Sequence, residues 1–310
     1  MNKRRRQSKR VVESLISLIV VLLLGMIGAF YANGSYPLNE KQDIQNNQRN
    51  NAISQTIEKG ETLEVYFLDV GQADSILVRN QGHTLLIDAG NNTDGNWLVA
   101  KLQELGVSKL DYVIGTHPHE DHIGGLDNVI THLDIGTIFM PKIQTNTKTF
   151  EEVLDAVSQK GLTIKAPVVG DSFLVGNAVC EIMACGTGSK EEKSNLNLAS
   201  IVIRTTYGEN SFLFMGDAEE KNESARTWPQ TTVLKVGHHG SDTSSSNSFL
   251  KQVKPEISII SVGKDNSYGH PKNTILKRLQ NLKAKIYRTD ESGTVFITSD
   301  GKTVSVQTEK

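Results

Sequence analysis

Residues 116 to 122 read Thr-His-Pro-His-Glu-Asp-His, three imidazoles and two carboxylates in seven residues directly after the apolar run 112–115. A packed core has no use for that density of ionisable groups, because each is costly to bury unless it is paired or binds an ion. His117 and His119 lie two apart, so on an extended segment both rings leave the same face and can converge on one cation. Asp121 and His122 follow where a turn swings them toward a second. Zinc and similar borderline cations take imidazole and carboxylate together, and an open coordination position acidifies the water bound there. The string therefore predicts a hydrolytic metal centre at the end of a strand. Glu120, between the ligand positions, is expected to support the ligands from behind or to face solvent.

The same arrangement, a strand that ends in candidate ligands, recurs twice. Residues 211–215 run into Gly216-Asp217, and residues 232–236 into Gly237-His238-His239-Gly240. Three distant strand ends can share one site only on a sheet scaffold that gathers them at one edge. Short strands at 63–68, 75–78 and 84–87, separated by Gly71 and Gln81-Gly82, fit antiparallel ribbons. Further strands are expected at 178–184, 200–206, 257–261, 284–288, 294–298 and 303–306, and helices at 94–105, 123–132, 150–159 and 273–282. No internal repeat interrupts this pattern. One catalytic domain is expected over residues 61–310.

The preceding residues have another composition. Lys3, Arg4, Arg5, Arg6, Lys9 and Arg10 lead into an uncharged stretch, 14–39, whose apolar part is 15–31, close to the ~20 residues that cross a bilayer. A basic flank of this kind holds the N-terminus in the cytoplasm and sends the remainder outside. Residues 1–34 are expected to be a basic flank and single-pass signal anchor in the cell membrane, with the catalytic domain extracellular. Secretion after cleavage at Ala32-Asn33-Gly34 is the alternative. Residues 35–60, rich in Asn and Gln, read as a stalk.

Beyond residue 34 the chain holds 27 basic and 34 acidic side chains, a net of −7, which disfavours tight nucleic-acid binding. Against that balance, residues 264–288 carry seven basic residues and Asp265 alone on the acidic side. This excess fits phosphate or a solvated helix face. Cys180 and Cys185 lack partners at zinc-finger spacing and are expected to be buried small hydrophobes, a mutual disulfide needing a turn between them.

Phe67-Leu68-Asp69-Val70-Gly71-Gln72-Ala73-Asp74, Leu86-Ile87-Asp88-Ala89-Gly90, the His string with Ile123-Gly124-Gly125, Phe214-Met215-Gly216-Asp217-Ala218-Glu219, Leu234-Lys235-Val236-Gly237-His238-His239-Gly240-Ser241 and Tyr268-Gly269-His270-Pro271 stand in that order. Together they resemble the metallo-β-lactamase superfamily, and within it the hydrolase domain of ComEC-type competence proteins. The resemblance implies an α+β, four-layer αββα sandwich with a dinuclear site at one sheet edge. It implies that His117 and His119 hold one metal and Asp121 and His122 the other, with Asp217 bridging and His238 completing the second site. His239 can take the place of His238, since sequence does not say which ring turns inward.

Asp121, His122 and His270 are the expected catalytic residues, His270 as a donor to an oxyanion or leaving group. Asp69 and Asp88 are expected to support the ligands, and Lys235 and Ser241 to contact phosphate. Many superfamily members carry a further histidine before the bridging aspartate. This chain has none between His132 and His238, and Asn197 stands near that place. Two divalent ions are expected, zinc first and manganese as the alternative, because an amide is a poor zinc ligand.

The function this implies is hydrolysis of phosphodiesters outside the membrane, with DNA among the candidate substrates. The alternatives are a small cell-surface phosphodiester or ester, and a non-catalytic binding module with structural metal, which the scarcity of Cys ligands disfavours. Nothing in the sequence points to an obligate protein partner.

Overall fold

Strand β1 (Leu63–Phe67) alternates fully buried Leu63, Val65 and Phe67 with partly exposed neighbours, the period of a strand with one face on a core. It continues through β2 (Ile76–Asn80) and β3 (His83–Ile87) as an antiparallel ribbon and then turns parallel in β4 (Lys109–Ile114), β5 (Asp134–Phe139) and β6 (Ile164–Lys165). A second series comprises β7 (Ser172–Val175), β8 (Ala178–Ala184), β9 (Val202–Tyr207), β10 (Asn210–Phe214), β11 (Val233–Lys235), β12 (Ile257–Ile260) and β13 (Lys285–Arg288). The chain closes with β14 (Val295–Ser299) and β15 (Val304–Thr308). In this computed structural model, which describes residues 61–310, the strands form two sheets, ordered β15-β14-β1-β2-β3-β4-β5-β6 and β13-β12-β11-β10-β9-β8-β7. Each is antiparallel in one half and parallel in the other.

Helices α1 (Gly95–Glu104), α2 (Leu126–His132) and α3 (Lys148–Gln159) cover the first sheet. The second is covered by α4 (Asn247–Val253) and α5 (Asn273–Asn281). Three apolar clusters correspond to the three interfaces of a four-layer sandwich. The middle one, between the sheets, sets Phe67, Val65 and Ile87 against Phe212, Phe214 and Ile259, each such side chain contributing about 1.5–3 kcal/mol on burial. The expected αββα sandwich is present.

The departures are local. The helix expected at 123–132 begins only at Leu126, as α2, with a separate short helix, Glu120–Ile123, before it, and other loops press on the Gly124-Gly125 junction between the two. A Cβ on Gly124 would sit 2.2 Å from the Asn92 amide nitrogen, and one on Gly125 2.5 Å from the Ala89 carbonyl oxygen. Strands β5, β6 and β7 and helix α4 were not expected from sequence. Cys180 is buried beside Thr205 and Cys185 half-buried, both as free thiols. The expected anchor and stalk lie outside the described residues, among which no helix is long and apolar enough to cross a membrane.

Candidate metal centre

The C-terminal ends of β3, β4, β10, β11 and β12 meet at one edge of the sandwich, where they deliver Asp88, the His string, Asp217, the His238-His239 pair and Ser261. The two sheets are stitched together there. The Ile201 amide, ahead of β9 in the second sheet, donates to the Thr116 carbonyl after β4 in the first (2.9 Å), and within the second sheet the His238 amide donates to the Gly216 carbonyl (3.0 Å).

Asp217, almost fully buried, is the hub. Its Oδ1 lies 3.3 Å from His122 Nε2 and 3.6 Å from His239 Nε2. Asp121 Oδ2 lies 3.7 and 3.3 Å from the same two nitrogens. Ligand atoms of Asp121, His122, Asp217 and His239 all fall within 4.8 Å of one another. His122 Nε2, His239 Nε2 and Asp217 Oδ1 are buried and make no hydrogen bond, although each orphaned buried polar atom costs about 1–3 kcal/mol. Two imidazole nitrogens and two carboxylates converging without internal partners suit a cation such as zinc. The donor set thus fits a metal ion.

The other oxygen of Asp217 faces a different set. Asp217 Oδ2 is 3.6 Å from His238 Nε2 and 3.9 Å from His117 Nε2, which lies 2.9 Å from His119 Nδ1. His238 and His239 therefore flank one carboxylate from two sides. Both adopt left-handed backbone, φ +50° and +52°, a region that non-glycine residues enter at a cost of about 1–3 kcal/mol and that clusters at functional sites.

Each ring is held by its far nitrogen. His122 Nδ1 lies 2.8 Å from Asp88 Oδ2, His239 Nδ1 2.9 Å from the Ser261 carbonyl, and His238 Nδ1 3.0 Å from the Thr243 hydroxyl. Asp88 also accepts from the Thr116 amide and hydroxyl, both at 2.8 Å. Such partners fix the tautomer that leaves Nε2 free for a metal. Burial pushes the Asp88 carboxyl up, while His122 beside it works in the opposite direction.

The electrostatics follow the grouping. Burial works against a charged His122, but Asp217, Asp121 and Asp88 together hold it well above the ordinary histidine range. Asp217 is held well below the carboxylate range, its burial outweighed by His122 and His239. Burial, with His122 next to it, pushes His117 well down.

Residues 68–264 match the family model of the metallo-beta-lactamase superfamily. The chain belongs to that superfamily. Among similar proteins is ComE operon protein 3 of Bacillus subtilis, 31% identical over 254 residues that make up 75% of this chain and 32% of that protein. Recombination protein 2 of Haemophilus influenzae is 32% identical over 246 residues, 76% of this chain and 29% of that protein. Competence protein ComA of Neisseria gonorrhoeae is 31% identical over 233 residues, 73% of this chain and 30% of that protein. These names fit the competence-protein subgroup, and the chain spans about a third of the length of each relative. The metallo-β-lactamase fold protein YhfI from Bacillus subtilis superposes with a TM-score of 0.50 at 12% identity, covering 77% of this chain and all of that one. That likeness concerns the fold.

Within this metallo-β-lactamase frame, the ring grouped with Asp121 and His122 is His239 rather than His238. Asn197 Nδ2 donates to Glu219 Oε1 and lies 3.4 Å from the His238 ring, while its buried Oδ1 has no partner. Asn197 thus sits beside the His117, His119 and His238 set, and Glu219, unremarked in sequence, braces it.

Three expected residues lie elsewhere. Asp69 turns outward, its carboxylate 3.2 Å from Lys310 Nζ and its amide bonded to the Thr294 hydroxyl, so it does not support the ligands. Lys235 is fully buried 2.7 Å from Asp74 Oδ2 and cannot reach a phosphate. Ser241 is also buried, its hydroxyl bonded to Thr243 within the turn that carries the His pair.

Asp74, at the end of the first motif, is a further residue that the sequence did not mark as part of the site. Its Oδ1 lies 3.5 Å from His239 Nδ1, and its amide donates to the Asp121 carbonyl. Asp74, Asp88 and His122 also lie close enough to suggest a second ligand group. Lys235, Thr116 and the His122 ring itself already engage those carboxylates.

A cavity of about 420 Å³ opens over the cluster, lined by His119, Asp121, Asp217, His238, His239 and His270, with Gln72, Asn91, Glu120 and Tyr268 at its sides. Exposed Glu120 accepts from the Asn92 amide. Burial and the nearby His238 and His239 lower the His270 imidazole to about 4, so it is neutral at physiological pH. Its Nδ1 is buried without a partner.

Proposed function

We propose that this chain is a membrane-anchored, extracytoplasmic hydrolase of phosphodiesters with two divalent metal ions, DNA being among its candidate substrates. The observation that carries the reading is the buried carboxylate of Asp217, one oxygen facing His122 and His239 and the other His238 and His117. In this reading Asp121, His122, His239 and Asp217 Oδ1 would hold one ion. His117, His119, His238 and Asp217 Oδ2 would hold the other, with His238 in the role of the missing middle histidine. When bound, such a pair of ions acidifies water and stabilises the charge that develops on phosphoryl oxygens.

The protein's own residues set the geometry. Asp88, the Ser261 carbonyl and Thr243 orient the rings, and the pocket wall presents Asp121 and His270 to a substrate. A neutral His270 serves as a hydrogen-bond donor to the leaving oxygen rather than as an acid. The basic flank and apolar segment of residues 1–34 supply the anchor. The similarity to competence proteins supports a DNA substrate; the net charge of −7 beyond residue 34 argues for a shallow polymer contact.

The test is hydrolysis of bis-p-nitrophenyl phosphate with zinc or manganese supplied, extended to single-stranded DNA, duplex DNA and a choline phosphodiester. Turnover of DNA that weakens steeply with salt identifies the polymer as substrate, because each phosphate contact releases counterions. Turnover of the choline ester alone, insensitive to salt, moves the substrate to a small ester. No metal-dependent turnover of any of them refutes the hydrolase.

A further inference from the structure

Tyr268 is 65% exposed at the lip of the metal cavity, an unusual position for so large an apolar ring. Nothing in the fold consumes it. Its one aromatic neighbour among the described residues is His270, with ring centroids 5.8 Å apart and planes 23° from parallel. The backbone beneath is fixed: Asn266 Nδ2 donates to the Gly263 and His270 carbonyls (2.9 and 2.7 Å), Asn266 Oδ1 accepts from the His270 amide (3.0 Å), and Lys272 Nζ donates to the Tyr268 carbonyl (2.7 Å). A rigidly mounted, solvent-facing aromatic beside a reactive centre is pre-organised to stack on a ligand.

The surface beyond continues in the same chemistry. A second cavity of about 620 Å³ shares His270 with the first and is lined by Lys264, Asn266, Lys272 and Arg288. Arg288 is engaged by Asp290 and Glu291, whereas Lys264 and Lys272 form no ion pair among the described residues. Asp265 is the other acidic side chain on this wall. The candidate metal cluster, the aromatic face and two ammonium groups without a carboxylate partner among the described residues therefore follow one another along the surface. A small ester requires only the first of these; a single nucleic-acid strand presents a partner for each, a phosphodiester, a base and the next phosphate.

Resting on the phosphodiesterase reading above, we propose that Tyr268 is the stacking platform for the base adjacent to the scissile phosphate, with Lys264 and Lys272 taking the neighbouring phosphate, so that the substrate is a single-stranded nucleic acid. The platform is sequence-tolerant, since every base has a π-face, and it is lost on a duplex, whose bases are already stacked.

Binding tests this separately from turnover. The full chain, held in chelator to prevent cleavage, is titrated by fluorescence anisotropy with a thymidine oligonucleotide, an abasic oligonucleotide of equal length and charge, and the matching duplex. Base stacking predicts about 5–150-fold tighter binding of the thymidine strand than of the abasic one. Tyr268→Ala abolishes that preference, while Tyr268→Phe and Tyr268→Trp retain it. Lys264→Ala, which leaves the Lys272 bond to the Tyr268 carbonyl in place, weakens both strands alike and flattens their salt dependence. Equal affinity for the two strands in the native chain, a preference that survives Tyr268→Ala, or binding of the duplex as tight as the single strand overturns the platform. Hydrolysis of bis-p-nitrophenyl phosphate by the native chain is run in parallel. Its failure refutes the phosphodiesterase reading, and the comparison of the two strands still decides the role of Tyr268.

Discussion

Lys235→Met should cost the metal-free protein several kcal/mol of stability, and adding Asp74→Asn should restore much of it. Lys235 Nζ and Asp74 Oδ2 are 2.7 Å apart, with the two side chains 0% and 1% exposed. At that separation two unit charges attract by roughly 6 kcal/mol at an effective dielectric of about 20, which the desolvation of both groups largely offsets. Removing one partner leaves the other buried and unpaired, a loss of about 3–5 kcal/mol, or about 6–20 °C in Tm for a domain of this size. The two single variants should differ. When Lys235 is lost, His239 and His122, 3.5 and 4.0 Å from Asp74, still compensate the carboxylate. When Asp74 becomes Asn, the Lys235 ammonium keeps a single bond to the Val236 carbonyl. Lys235→Met belongs near the lower end of the range and Asp74→Asn near the upper. Urea unfolding in chelator at pH 7, followed by circular dichroism and by the fluorescence of buried Trp228, measures all three variants. Losses that add in the double variant to within ~0.5 kcal/mol would show that the groups do not interact and refute the pairing.

Asp88→Asn removes the acceptor that orients His122 and should lower metal affinity about 10–100-fold, measured by competition with a chromogenic chelator; unchanged affinity would leave Asp88 with only its bonds to Thr116. His122 and His239 are held above the ordinary histidine range in the metal-free protein, where neighbouring carboxylates, Asp217 foremost, overcome the opposing effect of burial. Their contribution to metal-free stability is complete below the unfolded value of about 6.5 and is lost as pH rises through the raised folded values. Metal uptake at pH 7 must therefore displace protons, and affinity must rise with pH. Calorimetry in buffers of different ionisation enthalpy counts those protons, and a count of zero contradicts the grouping. Burial pushes the Cys180 thiol up to about 12, so iodoacetamide at pH 8 should leave it unmodified until the protein unfolds. Gly124→Ala places a Cβ 2.2 Å from backbone and should reduce soluble yield sharply, whereas Gly82→Ala, with open space around it but strained by a φ of +78°, should cost less.

Much of this architecture was legible because ligands at strand ends leave a local signal. The strings around His117, Asp217 and His238 each follow an apolar run, and those runs are β4, β10 and β11. Strand β5 escaped notice because its faces are mostly half-exposed and Gly136 interrupts it. The choice between His238 and His239 was not legible at all. Two consecutive left-handed residues turn the rings to opposite oxygens of Asp217, and nothing in a Gly-His-His-Gly string announces that geometry. Asp69 and Asp74 share one motif, and the one turned inward, Asp74, is paired with Lys235, a residue far along the chain. Lys235 itself read as a phosphate contact. Its burial becomes intelligible only once Asp74 is seen beside it.

The most direct test of the central claim is the metal content of the purified chain and of its Asp217→Asn variant, by inductively coupled plasma mass spectrometry, together with their turnover of bis-p-nitrophenyl phosphate. A carboxylate shared between two sets of imidazoles predicts two ions per native chain, loss of both or of all but one in the variant, and a fall in turnover exceeding about 100-fold. A variant that keeps two ions and full turnover contradicts it.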